Sequence, residues 1–174
     1  MRASLKELEK HVTLTPIERI LLTTDGSITT VLDALVGEEI EVETEVQKVI
    51  SANAELAMEL GIREDAEVNY RVVDLKSSEA TLVHAVSYSP IERLAKEFKD
   101  DIMKKDMPIG RIMSSLNMES QREIMGFEVI DGDGELCGRF GLPSGSVFLK
   151  RKYHIIHGGK VLLSITEIFP KGVY

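Results

Sequence analysis

Two runs of strand-forming residues near the C-terminal end constrain the fold of this chain more than any other feature. Residues 146–156 and 160–169 are rich in β-branched and aromatic side chains, and the turn sequence His157-Gly158-Gly159 joins them. A connection this short joins antiparallel neighbours. A second hairpin is predicted from residues 66–76 and 81–89, which flank a polar turn. The chain is therefore expected to contain an antiparallel sheet.

Helices are predicted among these strands from capping sequences. Thr15-Pro16-Ile17-Glu18 combines a capping hydroxyl, a proline at the first helical position and a glutamate three residues after the cap, and it begins a helix at residues 17–24. Further helices are expected at 28–36, at 52–60, from Ser89 to about 105 and at 109–116, and further strands at 39–50 and 122–130. This irregular order favours an α+β fold. We find no internal repeat or linker, which favours a single domain over residues 1–174.

The charge and the cysteine content exclude several classes of function. The chain has 174 residues, 29 acidic and 21 basic side chains, and a formal net charge of −8. This balance disfavours nucleic acid or an anionic membrane as a partner, because both would repel the protein. The single cysteine, Cys137, excludes an internal disulfide and is expected to be a small packing residue. Without a long apolar run or a signal-peptide core, the chain is predicted to be cytoplasmic.

A carboxylate interrupts an apolar row of the last predicted strand. Glu167 shares one face with four apolar side chains, Val161, Leu163, Ile165 and Phe169. A buried carboxylate is costly unless it is paired or hydrogen-bonded. Glu167 is therefore either half of a structural ion pair or a functional acid, and the pattern leaves both interpretations open.

An arginine occupies a similar position on an earlier strand. Arg71 shares a face with Val73 and Leu75. A guanidinium there could hold a planar carboxylate in a bidentate grip. It could equally lie at a solvated edge or pair with Glu167, and the sequence does not decide between these alternatives.

Other polar motifs are better explained by structure than by chemistry. Asp131-Gly132-Asp133-Gly134 is expected to be a turn, because the later glutamate of a calcium loop is missing. His84, His154 and His157 have neither HExxH nor HxH spacing, so no metal site is predicted.

Four short motifs occur in a characteristic order along the chain. They are the stretch 21–29, which reads Leu-Leu-Thr-Thr-Asp-Gly-Ser-Ile-Thr, then Arg71, Pro108-Ile109-Gly110-Arg111 and Thr166-Glu167-Ile168-Phe169-Pro170. In order and spacing they resemble the chorismate lyase family, and most closely its archaeal and mycobacterial-type branch. The resemblance extends from about Thr15 to Pro170.

The resemblance implies a fold, a reaction and a set of site residues. The fold is an antiparallel sheet of about six strands, with helices on one side and two helical flaps over a buried site. The reaction removes pyruvate from chorismate and leaves 4-hydroxybenzoate, with no cofactor and no metal. By resemblance, Arg71 grips the ring carboxylate, Glu167 lies at the ring hydroxyl, the backbone amides of Ile28 and Ile109 touch the carboxylate, and Ala85 lies beside the ligand. A monomer is expected.

The role of Glu167 and one rival function remain open at this point. If Glu167 is buried among apolar side chains, desolvation would let it donate a proton near neutral pH, but it could instead be a base or only position the hydroxyl. We expect Arg71 and Glu167 to be separated by about a ring's length when ligand is bound. The rival is a non-catalytic domain of the same fold that senses a small aromatic carboxylate. Such sensors carry an N-terminal DNA-binding domain, and the segment that precedes Thr15 is too short for one.

Overall fold

A six-stranded antiparallel sheet forms the centre of the protein, in a computed structural model that describes residues 4–104 and 106–174. The strands are β1 (Glu41–Ser51), β2 (Glu67–Lys76), β3 (Thr81–Pro90), β4 (Gln121–Asp131), β5 (Val147–His157) and β6 (Lys160–Pro170). They lie in the order β1-β2-β3-β6-β5-β4, and every neighbouring pair is antiparallel. The predicted α+β class and antiparallel sheet are confirmed.

Most of the predicted helices are present within two residues of their expected bounds. The helices are α1 (Leu5–Leu8), α2 (Pro16–Thr23), α3 (Ile28–Val36), α4 (Ala54–Leu60), α5 (Lys96–Lys104), α6 (Ile109–Ser115) and α7 (Gly134–Arg139). The predicted capping box begins α2, since the Thr15 amide donates to the Glu18 carboxylate at 2.7 Å and the Glu18 amide donates to the Thr15 hydroxyl at 3.1 Å. Among the described residues, no helix is long and apolar enough to cross a membrane.

The helix predicted from Ser89 to about residue 105 is wrong in its first third. Strand β3 continues through Pro90, and Ser89 is fully buried in the sheet opposite Asn69. Its hydroxyl therefore cannot cap a helix that starts beside it. A single 3-10 turn at Ile91–Arg93 follows, and α5 begins at Lys96. Residue 105, the expected end, lies outside the described residues.

The turn predicted at residues 131–134 is instead the end of β4 followed directly by helix α7, which begins at Gly134. Asp133 caps this helix, because its carboxylate accepts a hydrogen bond from the Leu136 amide at 2.8 Å. The helix packs its buried Cys137 against Phe148, which confirms the packing role predicted for the cysteine.

The chain contains an internal duplication, which contradicts the expectation of no repeat. The succession β1-α4-β2-β3 recurs as β4-α7-β5-β6 with a constant spacing along the chain: β1 begins at Glu41 and β4 at Gln121, while β3 and β6 end at Pro90 and Pro170. The irregularities recur as well, because β1 and β4 shift register between residues 44 and 46 and between 124 and 126. Few residues are identical between the halves, so the repeat is evident in the backbone but not in the sequence. The strand order relates the halves by an approximate twofold axis between β3 and β6.

The helices cover the two faces of the sheet unequally. Helices α2 and α3 pack over β2 and β3 through a cluster that includes Leu22 and Leu32, and α5 and α6 pack over β5 and β6 through one that includes Phe98 and Ile112. The short helices α4 and α7 pack against Val68 and Phe148, which alternate to the opposite face. The first face, with the N-terminal ends of α3 and α6 above it, encloses the candidate site.

Candidate active site

One cavity contains all of the residues that the resemblance implied. About 520 Å³ of empty space, open in part to solvent, lies between the sheet and the N-terminal ends of α3 and α6. Its lining includes Arg71 on β2, Ala85 on β3, Glu167 on β6, and Ile28 and Ile109 at the first turns of α3 and α6. Positions far apart in the sequence therefore meet in one site.

Equivalent positions of the two halves both contribute to this cavity. The lining includes five pairs of positions that the duplication relates: Val42 and Arg122, Val73 and Tyr153, Leu75 and Ile155, Ala85 and Ile165, and Ser87 and Glu167. The cavity therefore straddles the approximate twofold axis. Since the pairs Val42/Arg122, Val73/Tyr153 and Ser87/Glu167 differ in polarity or charge, the cavity is asymmetric and suits a ligand whose two ends differ.

Arg71 is buried at the end of the cavity nearest β1. It is 1% exposed, and its Nη2 donates to the Met107 carbonyl at 3.1 Å and reaches the Thr44 hydroxyl at 3.4 Å. Burial lowers the pKa of Arg71 to about 10, although the nearby charge of Asp106 acts in the opposite direction. The guanidinium is therefore still charged at neutral pH, and it is already held in place by oxygens other than a ligand's.

Glu167 is buried in a preformed pair of contacts. It is 2% exposed, its Oε2 accepts a hydrogen bond from Arg151 Nε at 2.6 Å, and its Oε1 accepts one from the Tyr153 hydroxyl at 2.9 Å. Arg151 thus supplies a buried positive charge beside Glu167. The prediction that desolvation makes Glu167 a proton donor did not include this charge. Its partner is Arg151, whereas the sequence interpretation had considered Arg71.

Arg151 was not among the predicted site residues, although the sequence contains a signal for it. Arg151 alternates with Leu149 and Tyr153 on one face of β5, so it is a third charged residue in an apolar row. Its alignment with Glu167 depends on a β-bulge that the sequence does not predict. The hairpin pairs Ile156 with Val161 but Ile155 with Leu163, so β6 has one extra residue and the register shifts by one. Without this bulge, Arg151 would lie opposite residue 166.

Arg151 is anchored from several sides. Its Nη1 donates to the Thr24 carbonyl at 3.0 Å, and its guanidinium lies 4.9 Å from the centre of the Tyr153 ring. Burial, followed by the negative charge of Glu167, raises the pKa of Tyr153 far above its ordinary value. Tyr153 therefore keeps its proton and acts as a hydrogen-bond donor in this site.

The two flaps approach each other closely above the cavity. Neither Ser27, at the start of α3, nor Pro108, at the start of α6, makes a side-chain hydrogen bond to the first helical amides. A Cβ atom on Gly110 would lie 2.6 Å from the Ser27 hydroxyl and 3.2 Å from the Ser27 Cβ, so a side chain at position 110 would require Ser27 or α6 to move. The amide ends of two helices are thus brought to one side of the cavity.

The described residues also contain a metal-capable group, but a side chain already occupies it. Glu45, Asp74 and His84 place one potential ligand atom each within 4.8 Å of the others. Arg139 Nη1 lies between the two carboxylates, at 2.8 Å from Asp74 and in contact with Glu45. Burial would raise the pKa of Asp74, but hydrogen bonds from His84 and Arg139 outweigh it and lower that pKa. This cluster is a structural ion-pair network.

Comparisons with known proteins identify the relatives of this chain. The sequence profile described as "Chorismate pyruvate-lyase Rv2949c-like" matches residues 22–173. A Methanocaldococcus jannaschii protein named "Putative lyase MJ0807" is 38% identical over 168 residues, which cover 94% of this chain and 83% of that protein. A Mycobacterium tuberculosis protein named "Chorismate pyruvate-lyase" is 28% identical over 160 residues, which cover 90% of this chain and 80% of that protein.

Solved structures share the fold at low sequence identity. The effector domain of PhnF from Mycobacterium smegmatis has a TM-score of 0.67 and 13% identity, and the match covers 84% of this chain and 89% of that domain. The C-terminal domain of the histidine utilization repressor from Pseudomonas syringae has a TM-score of 0.59 and 16% identity, with 76% and 92% covered. At such identities these matches establish the fold alone.

Proposed function

The chain belongs to the Rv2949c-like chorismate pyruvate-lyase family, and on that premise we propose that it removes pyruvate from chorismate and leaves 4-hydroxybenzoate. The observation that carries the proposal is the single cavity that Arg71 and Glu167 both line. The resemblance assigns these residues to the two ends of the substrate ring. The mycobacterial relatives that bear the name chorismate pyruvate-lyase support the proposed reaction.

Arg71 holds the ring carboxylate in this proposal. A buried guanidinium that stays charged is suited to a planar carboxylate, which it can bind through two parallel hydrogen bonds. The amide groups at the starts of α3 and α6, around Ile28 and Ile109, are not capped by side chains and face the same cavity. Helix N-terminal amides favour an anion for the same electrostatic reason.

The proposed reaction is an elimination in which the substrate supplies the driving force. The bond between the ring carbon and the ether oxygen breaks, and the electron pair leaves with enolpyruvate. The hydrogen on the neighbouring, hydroxyl-bearing ring carbon departs as a proton, and the ring becomes aromatic. Enolpyruvate then takes a proton at its methylene carbon and becomes pyruvate. No electrons are exchanged with a cofactor, and we propose that the protein uses neither cofactor nor metal.

Glu167 acts as an acceptor rather than a donor in this scheme. Both Arg151 and Tyr153 donate hydrogen bonds to its carboxylate, and each carboxylate oxygen retains a further lone pair. It can therefore accept the ring proton or the hydrogen bond of the ring hydroxyl. Positioning by Arg71 and proton removal by a fixed base each contribute to the rate, and general base catalysis typically contributes about 10²–10⁴-fold.

The test is to incubate the purified protein with chorismate in the absence of added metal and to follow chorismate loss in wild type, Glu167→Gln and Arg71→Lys. We expect Glu167→Gln to lose most turnover, and Arg71→Lys to bind 4-hydroxybenzoate more weakly because an ammonium cannot replace the guanidinium fork. Wild-type turnover in Glu167→Gln would exclude the base role. A protein that 4-hydroxybenzoate stabilises against heat, but that does not consume chorismate, would be the non-catalytic binder.

A further inference from the structure

Arg122 is a second cation of the cavity that the motifs did not identify. It lies on β4, opposite Ile155 of β5, and both residues line the cavity. Its Nη1 donates to the Asp25 carbonyl at 3.0 Å, which fixes the side chain beside the loop that precedes α3. Its Nε is buried and makes no hydrogen bond to the described residues. A buried donor of this kind is costly unless water or a ligand satisfies it.

The side chain lies beneath the flaps and near Tyr153, away from Arg71. Arg122 Nη2 is 3.9 Å from the position that a Cβ on Gly110 would take. Its positive charge acts on Tyr153, where it opposes the effects that raise that residue's pKa. Arg71 and Arg122 approach the cavity from β2 and β4, four strand steps apart, or about 19 Å between strand axes. The two arginines therefore provide separate positive positions.

The duplication supports a dedicated role for this arginine. The equivalent position in the first half is Val42, which also lines the cavity. The second half thus has a cation where the first half has an apolar side chain. In a protein with a net charge of −8, a second, partly buried cation that lines the ligand cavity favours an additional anionic group on the ligand.

We infer that Arg122 binds the carboxylate of the enolpyruvyl side chain, the second of the two carboxylates of chorismate. This inference rests on the proposed function and deepens it. Arg71 would hold the group common to substrate and product, whereas Arg122 would hold the group that leaves. Arg122 would therefore distinguish substrate from 4-hydroxybenzoate, and it would stabilise negative charge on the departing enolpyruvate.

The experiment compares a ligand with one carboxylate to a ligand with two. We expect Arg122→Gln to raise the KM for chorismate by about tenfold or more, while the Kd for 4-hydroxybenzoate stays within about twofold of wild type. Arg122→Lys should recover part of the loss. Arg19→Gln is the matched control, because it removes one positive charge from the exposed pair with Glu9 and should change neither constant.

A second measurement needs no variant and so does not depend on whether Arg122→Gln folds. Wild-type protein should bind 3-(carboxymethoxy)benzoate at least about tenfold more tightly than 3-ethoxybenzoate, which lacks the second carboxylate. Equal affinities would overturn the inference, as would an Arg122→Gln variant that weakens both natural ligands alike. Either result would leave wild-type turnover of chorismate intact, whereas loss of the proposed function would appear as no wild-type turnover at all.

Discussion

At the scale of single residues, the charge distribution of the site depends on which side chain lies opposite each of two equivalent arginines, Arg151 and Arg71. Arg151 lies opposite Glu167 across β5 and β6, while Arg71, its counterpart in the first half, lies opposite Ser87 across β2 and β3. The Glu167 carboxylate balances Arg151 across one strand pair, whereas across the other Arg71 faces an uncharged hydroxyl, and the charge that acts on it is that of Asp106. The same backbone arrangement has thus become an internal ion pair in one half and a proposed carboxylate-binding group in the other.

A glutamate at position 87 should give Arg71 the same cross-strand partner that Arg151 has in the second half. In Ser87→Glu the new carboxylate would face Arg71 as Glu167 faces Arg151, and it would compete with the ligand. We expect the affinity for 4-hydroxybenzoate, measured by titration calorimetry, to fall by about 100-fold. Ser87→Gln, which has the same size without the charge, is the control. An equal loss in both variants would show that space in the cavity, rather than charge, determines binding.

Some of the site residues could be predicted from the sequence, and others could not. Glu167 and Arg71 were visible because each interrupts an apolar row that alternation makes easy to recognise. Arg151, the partner of Glu167, was not predicted, because the register that places the two residues opposite each other depends on the bulge at Leu162. Arg122 was not identified either, since it lies near the start of an edge strand where charged residues are common.

At the scale of secondary-structure elements, the two flaps meet at one glycine. Gly110 in α6 approaches Ser27, at the start of α3, so closely that a side chain at position 110 would displace the Ser27 hydroxyl or the helix. Local sequence predicted both helices, because Gly37 ends α3 with a φ of 75° and Pro108 begins α6. Their contact could not be predicted, since it depends on how the two halves of the sheet are placed.

A methyl group at position 110 should separate the flaps. We expect Gly110→Ala to weaken 4-hydroxybenzoate binding by about tenfold with a small change in melting temperature, because the Ser27 hydroxyl must rotate away and the remaining tight contact with the Ser27 Cβ pushes α6 outward. Ser27→Gly removes the obstructing atoms, so Ser27→Gly/Gly110→Ala should recover affinity. If the double variant is no better than Gly110→Ala, the contact between the flaps does not cause the loss.

At the scale of the whole molecule, each half holds a short helix of the other half in place. Glu59 on α4 contacts His154, Ser164 and Lys152 in the second half, while Arg139 on α7 contacts Asp74 and Glu45 in the first. Positions 59 and 139 are equivalent and carry opposite charges. These reciprocal contacts cross from one half to the other on the sheet face opposite the cavity.

The stability of the fold should depend on acid through Glu59. Its hydrogen bond with His154, and the contacts with Lys152 and Ser164, lower the pKa of Glu59 from 4.5 to about 2 despite burial. The contribution is therefore complete above pH 4.5 and is lost as the pH falls toward 2. We expect Glu59→Gln to lower the free energy of unfolding at pH 7 by about 1–3 kcal/mol and by much less near pH 2. A pH-independent difference in urea unfolding would contradict this account.

The duplication shows the limit of sequence reasoning at this scale. Equivalent residues such as Glu59 and Arg139, or Val42 and Arg122, differ in charge or polarity. The repeat is therefore recognised from the positions of turns, bulges and helix ends and not from residue types. Elements were predictable one at a time from caps and alternation. Their pairing, and the cavity on the axis between the halves, required the fold.

The most direct test of the account is the stoichiometry of products from chorismate. Wild-type protein should release 4-hydroxybenzoate and pyruvate in equal amounts and at the same initial rate, without added metal, and Arg71→Ala should abolish both. Pyruvate without 4-hydroxybenzoate, or no consumption of chorismate by a folded wild-type protein, would contradict the proposed lyase.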